Sequence, residues 1–278
     1  MAAGQVRMWR PKGNERVLLM AGQTTQYAVD PRGEYVFGIV TANPMRARRG
    51  RRRHLVVPGD LVAWDPSAEH AGTAVDAPWS ARLIVVEVGD LAEIASDHES
   101  ELPANVHFPV PVIRDRQLAR AFLDLHVALE TAASRIEGDE RLAGWLQAIV
   151  QRFSTARSRH SPPSPRDERA FRAACDYLAE RPERNVSLDE LAGAAGIGKF
   201  RLVRLFRDRT GLPPHALQLA HRIRAARRLL EAGESIASTA AATGFADQSH
   251  LHRHFQRTLG MTPAAYQRRV RSSGPGTT

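Results

Sequence analysis

The sequence predicts an α+β protein of two domains: a β-barrel followed by two helices, then an all-α domain. Three observations carry this. Short apolar runs separated by turn signals fill residues 1–90. From Leu118 onward, apolar residues take the three-to-four-residue spacing of amphipathic helices. The Pro/Ser-rich stretch SRHSPPSP (158–165) reads as a linker, and the charge changes across it.

The runs VLLMAG, EYVFGIV, HLVV, DLVAW and ARLIVVEV read as strands, punctuated at Pro31–Gly33, Pro58–Asp60 and Asp65–Ser67. Turn signals at roughly 8–12-residue spacing suggest a small barrel or sandwich. RARRGRRR (46–53) could pass as a nucleic-acid patch, but Gly50 at its centre favours the tip of a β-hairpin. Residues 91–113 read as a loop. Leu118, Ala121, Phe122, Leu125 and Leu129 form one helical stripe, and Leu142, Trp145, Leu146, Ile149 and Phe153 form a second. The stripes are wide enough to cover the barrel and to hold a homodimer. Beyond the linker, Ser164 can cap a helix with Pro165 in its first turn. Phe171, Ala174, Cys175 and Leu178 are its inner face.

Charge narrows the function. The 278 residues carry net +9, and of the 39 basic side chains all but Lys12 and Lys199 are arginine. Residues 1–165 hold 20 basic against 19 acidic groups; from Lys199 onward there are 14 against 4. A basic module beside a neutral one points to a polyanion, and nucleic acid is the usual one. The single cysteine, Cys175, excludes an intramolecular disulfide and a multi-cysteine zinc site. No apolar run approaches the roughly 18 residues of a membrane span, and the first 17 residues lack a signal-peptide core. The expectation is a cytoplasmic protein with no membrane contact.

The last third matches itself at a shift of 49 residues. Leu202 falls on Leu251, Arg204 on Arg253, Phe206 on Phe255, Gly211 on Gly260 and Pro214 on Pro263. In the first copy Ser187 caps a helix, with Glu190 expected to reach back in a capping box. Ala195–Gly198 makes a tight turn, and a second helix starts at Lys199. Its inner face is read as Leu202, Leu205 and Phe206. Its outer face is read as Lys199, Phe200, Arg201, Val203, Arg204 and Arg207. In the second copy Asp247 caps a helix with Leu251, Phe255 and Leu259 inside. That leaves Gln248, Ser249, His250, His252 and Arg253 outside. Two helices joined by a short Gly-containing turn, the second of them basic, make a helix-turn-helix, here in tandem. The helix between the copies, Pro213 to about Glu231, offers Arg222, Arg224, Arg227 and Arg228 as candidate phosphate contacts.

With these residues in view, 187–267 resembles the tandem helix-turn-helix domain of the AraC/XylS transcription regulators. GFADQSHLHRHFQRTLGMTPAAYQ (244–267) is the most specific stretch. The resemblance implies that Phe200, Val203 and Arg204, and Gln248, Ser249, His250 and Arg253, enter major grooves of double-stranded DNA, with Lys199 and Arg201 beside them. One departure is Gly198, where the first reading helix usually has a serine cap. VVPGDLVAWDPSAEH (56–70) is similar to part of the family's cupin-like effector barrel. That implies a small-molecule effector, with Tyr35, Phe37, Trp64 and His70 as candidate pocket residues. It also implies RNA polymerase as a partner if the protein is an activator. The expected domains are a sensor barrel (1–90), a helical dimerisation segment (91–157), the linker, a DNA-binding domain (166–270) and a disordered tail (271–278).

Two rival readings are enzymes. A metal-dependent cupin enzyme fused to a DNA-binding domain would need about three histidines and a glutamate, but residues 1–90 hold only His54 and His70. His250 and His254 sit at i, i+4, as zinc ligands do, with no third ligand in view. A DNA-repair methyltransferase would need a reactive cysteine, whereas Cys175 lies on an inner stripe. No catalytic residue, metal or cofactor is expected.

Overall fold

The computed structural model describes residues 6–11, 17–29, 34–66, 69–95, 106–131, 134–155 and 164–272. Most of the expected linker, the expected tail beyond Ser272 and the first turn signal lie outside the described residues. The chain divides into two compact units, Met1–Pro163 and Ser164–Thr278.

The first unit contains β1 (Val6–Trp9), β2 (Leu18–Thr24), β3 (Gln26–Val29), β4 (Glu34–Ala42), β5 (Met45–Arg49), β6 (Arg52–Val56), β7 (Leu61–Trp64), β8 (His70–Ala74) and β9 (Trp79–Glu87). It continues with α1 (Val88–Ala95), β10 (Val112–Ile113), α2 (Arg116–Thr131) and α3 (Arg135–Phe153). The strands form two antiparallel sheets, β1-β2-β9-β4-β7-β10 and β3-β8-β5-β6. The expected barrel is therefore a pair of sheets around one core of Val40, Met45, Ala47, Val56, Val62, Trp64, Trp79 and Ala81. The arginine-rich segment is a hairpin, with Arg48 opposite Arg53 and Gly50 at the tip.

The expected loop at 91–113 is not all loop. Leu91 and Ile94 are buried on α1, with Asp90 in its first turn, and β10 pairs with β7. These elements are too short for periodicity to reveal. The stripe of α2 buries Leu118, Phe122, Leu125 and Leu129 inside the unit, leaving Val127 about half exposed. On α3 the buried set includes Leu142, Trp145, Leu146 and Ile149, and the Trp145 indole donates to the Leu118 carbonyl at 3.1 Å. His126 on α2 is fully buried, 3.0 Å from Arg82 and 3.3 Å from the Met20 carbonyl oxygen. Only a neutral ring fits both: Nε2–H donates to Met20 while Nδ1 accepts from Arg82. Burial, with Arg82 beside it, lowers the pKa of this histidine.

The second unit is all helix: α4 (Pro165–Glu180), α5 (Leu188–Ala195), α6 (Lys199–Thr210), α7 (Pro214–Glu231), α8 (Ile236–Ala242), α9 (Gln248–Leu259) and α10 (Pro263–Ser272). Ser164 and Asp167 form a capping box on α4, with Pro165 in the first turn. Asp167 also accepts from Arg201 at 2.8 and 3.0 Å, and Phe171 packs on Phe206 at 4.9 Å. Helix α4 thus lies against α6. The second half has its own core of Ile223, Ala226, Leu230, Ala240, Phe245, Leu251 and Phe255. Gly244 must be glycine: φ is +77°, and a Cβ there would stand 2.3 Å from the Glu183 carbonyl oxygen.

Candidate nucleic-acid interface and effector cavity

The first helix-turn-helix is α5 and α6. The Ser187 hydroxyl accepts from the Glu190 amide at 3.1 Å, as a cap does. The Glu190 carboxylate accepts from Tyr177 and Arg184. Leu188, Leu191 and Ala192 are buried, and Ile197 plugs the turn. Gly198 caps α6 in extended conformation.

The outer face expected for α6 needs correction. Phe200 and Val203 are 3% and 0% exposed. They belong to the core, because α6 is covered by α4 as well as α5 and its buried arc is wide. Lys199 reaches Asp189 at 3.3 Å, and Arg201 is committed to Asp167. Arg204 is half-buried, and Arg207 and Arg209 are exposed, Arg209 pairing with Glu168 at 2.9 Å.

The second helix-turn-helix, α8 and α9, keeps more of its expected face. Asp247 caps α9 by accepting from the His250 amide at 2.7 Å. Gln248, Ser249, His252 and Arg253 are exposed. His250 is not: it is 7% exposed, and its Nδ1 accepts from the Ala246 amide at 3.2 Å. The ring braces the turn between α8 and α9, so its place among the groove-facing residues is corrected too. It meets His254 edge-on at 4.7 Å, and no group of three metal-ligating side chains occurs among the described residues.

Both reading helices end in a left-handed glycine, Gly211 at φ +69° and Gly260 at φ +71°. Between the two helix-turn-helices, Arg222 on α7 is no phosphate contact. It is 4% exposed and donates to the carbonyls of Pro182 and Arg184 at 2.7 and 2.8 Å. Arg227 binds Tyr266, while Arg224 and Arg228 are exposed.

In the first unit an apolar cavity of about 270 Å³ lies between the sheets. Trp64 and His70 line it, as expected. Tyr35 and Phe37 do not. Strand β4 is buried on both faces, and Val36 stands opposite Trp64 on the cavity side. Side chains alternate along a strand, so Tyr35 and Phe37 point away, where Phe37 meets Phe108 at 5.5 Å and Trp145 at 5.3 Å. The sequence reading missed Tyr27 and Trp79 in the lining. Tyr27 accepts a hydrogen bond from Trp64, and burial pushes its phenol well above the usual tyrosine range.

Comparison with known proteins bears on both halves. A family model described as an AraC-like ligand binding domain matches residues 17–146, and one described as a helix-turn-helix domain matches 191–269. The chain belongs to the AraC-type transcriptional regulators. As an AraC-type regulator it combines a ligand-binding N-terminal domain with a DNA-binding helical one. It is 27% identical over 220 residues, 78% of each chain, to the uncharacterized HTH-type transcriptional regulator YbfI of Bacillus subtilis. It is 38% identical over 94 residues to the bifunctional transcriptional activator/DNA repair enzyme Ada of Escherichia coli, covering 34% of this chain and 26% of that one. Among solved structures, the DNA-binding domain of AdpA in complex with a target DNA is 29% identical, with a TM-score of 0.36 over 39% of this chain and 98% of that one.

Proposed function

We propose that this AraC-type regulator reads double-stranded DNA with the fronts of α6 and α9, under control of a small molecule held between the two sheets. One observation carries the assignment of the reading residues. Arg253 is exposed at the front of α9, and Arg204, equivalent to it under the repeat, holds the corresponding place on α6, half-buried. Arginine can bind guanine bidentately in the major groove. Gln248 and Ser249 add hydrogen-bonding groups at the front of α9, so α9 carries the greater part of the discrimination. Binding-site selection with Arg204→Ala and Arg253→Ala tests this. Each substitution should relax specificity at its own groove, Arg253→Ala more strongly. Uniform loss across all sequences would make both arginines phosphate clamps.

The protein acts as a cytoplasmic homodimer joined through its first 165 residues, with RNA polymerase as a partner where it activates. Sedimentation of the full chain at micromolar concentration should show a dimer; a monomer would refute it. It is not an enzyme. The similarity to Ada favours a DNA-repair reading, but burial pushes the Cys175 thiol up, away from the reactive thiolate. Slow labelling of the native protein by a thiol reagent is expected; fast labelling would revive the repair activity.

A further inference from the structure

The cavity in the N-terminal unit has a chemistry of its own. Its walls are aliphatic and sulfur-bearing side chains, with Met8, Met20 and Met45 among them, and the rings of Tyr27, Trp64 and Trp79. Histidine and tyrosine aside, the one ionisable lining residue among those described is Glu34, which is exposed. Among the described residues, no arginine or lysine lines the cavity. Methionine adapts its shape and makes favourable contacts with aromatic edges, so such walls suit a flat or irregular apolar guest. The open side lies along β1, where Val6 and Met8 are 43% and 57% exposed.

The polar groups in the lining are few, and most are committed. The Trp64 indole donates to the Tyr27 hydroxyl. The His70 ring stacks on Trp64 at 5.1 Å with only 12° between planes. Two buried atoms stand apart: the His70 Nδ1, which makes no hydrogen bond among the described residues although its ring is stacked, and the Trp79 indole Nε1. Trp79 is 4% exposed, and its indole Nε1 is buried without a hydrogen-bond partner among the described residues. A buried donor left unmade is unfavourable, and a ligand that brings an acceptor removes that penalty.

We propose that the cavity takes an uncharged, largely apolar small molecule, aromatic or branched, carrying a single hydrogen-bond acceptor for the Trp79 Nε1–H. This rests on the reading of the cavity as the effector site. The volume of about 270 Å³ corresponds to about nine waters, or on the order of ten to fifteen non-hydrogen atoms of an organic ligand. Charge and polyol are both excluded by the walls. A carboxylate or phosphate would be buried with no arginine or lysine among the described lining residues to pair with it, and a sugar would lose water from many hydroxyls and find few partners.

The test is calorimetric titration of the full-length protein with four probes: 1-acetylnaphthalene, which is neutral with one carbonyl; its anionic near-isostere 1-naphthoate; L-arabinose, a polyol; and naphthalene, which has no acceptor. The neutral ketone should bind at least tenfold more tightly than the anion or the sugar. Ala81→Leu, which intrudes on the cavity, should abolish that binding. Trp79→Phe should weaken the ketone at least fivefold and leave naphthalene unchanged. That second variant keeps an aromatic ring and tests the acceptor independently of the filled-cavity variant. Preferential binding of the anion or the sugar, lost in Ala81→Leu, would overturn the proposed ligand class and leave the effector site standing. Binding that survives Ala81→Leu in a folded protein, or no binding of any probe, would overturn both.

Discussion

Arg201 separates a structural role from a DNA-reading role on one helix. Its guanidinium donates to both oxygens of Asp167, at 2.8 and 3.0 Å, and the Asp167 side chain is only 5% exposed. The same carboxylate accepts from the amide of Ser164, completing the cap of α4. Asp167→Ala therefore removes two things: the reciprocal cap, about 1 kcal/mol, and the partner of a mostly buried cation, about 1–3 kcal/mol. The sum, about 2–4 kcal/mol, should lower the melting temperature of the C-terminal unit by roughly 8–15 °C. Arg201→Ala strands the nearly buried Asp167 carboxylate but leaves the cap to Ser164 in place, so it should cost about 1–3 kcal/mol. The double mutant should fall short of additivity by about 1–2 kcal/mol. Urea unfolding of the four proteins of this cycle at pH 7 reads these numbers. Arg201 and its hydrogen bonds to Asp167, with Ser164 adding to them, hold the carboxyl well below the usual carboxylate range. The native state thus binds fewer protons than the unfolded one. The stabilisation is complete above the unfolded pKa, about 4, and drains as pH falls below it. Asp167→Asn should flatten stability between about pH 5 and 3 relative to wild type. Additive single mutants, with Arg201→Ala impairing operator binding and sparing stability, would refute this account and return Arg201 to the DNA.

Phe200→Ala should destabilise the C-terminal unit by about 3–5 kcal/mol, as for a buried aromatic, and reduce operator binding only through the unfolded fraction; intact stability with altered base preference in selection experiments would restore the groove-facing reading. Operator affinity should fall with salt at a log–log slope of about −4 to −8, and Arg222→Met, which strips donors from the Pro182 and Arg184 carbonyls, should cost about 1–3 kcal/mol of stability without changing that slope in gel-shift series. Because His126 is buried neutral with its pKa lowered, the N-terminal unit should lose stability as pH falls below about 6.5, and His126→Gln should remove that dependence from its thermal transition.

What was legible in the sequence were the features written in local chemistry. Asp247, Ser187 and Ser164 cap helices because a short oxygen-bearing side chain before an apolar stripe has one good use. The 49-residue repeat located both reading helices. The errors came where a neighbour distant in sequence decides burial. Under the repeat, Phe200 and Val203 correspond to Ser249 and His252, which are exposed. The apolar character of the first pair was the available signal that this face of α6 is covered within the C-terminal unit. The misplacement of Tyr35 and Phe37 has the same origin. A strand buried on both faces shows no alternation, and only the pairing of Val36 with Trp64 tells which parity faces the cavity. His250 looked like a polar residue at the front of a helix, yet its ring is used by the turn behind it.

The arginine hairpin bears on how the protein behaves in a crowded tube. Strand β6 is the outermost of the four-stranded sheet, so its free backbone edge is a template on which another chain could add a strand. Arg52 and Arg53 lie on that strand, and across the hairpin Arg48 and Arg53 already face each other, like charge on like. A second copy docking edge to edge would press guanidinium against guanidinium. The hairpin accepts a local penalty and in return guards against fibril-like stacking. That guard is electrostatic and therefore conditional: with a screening length of about 10 Å at 0.1 M salt, shrinking to about 3 Å at 1 M, it fades as salt is raised. The colloidal stability of this protein should be greatest in dilute buffer.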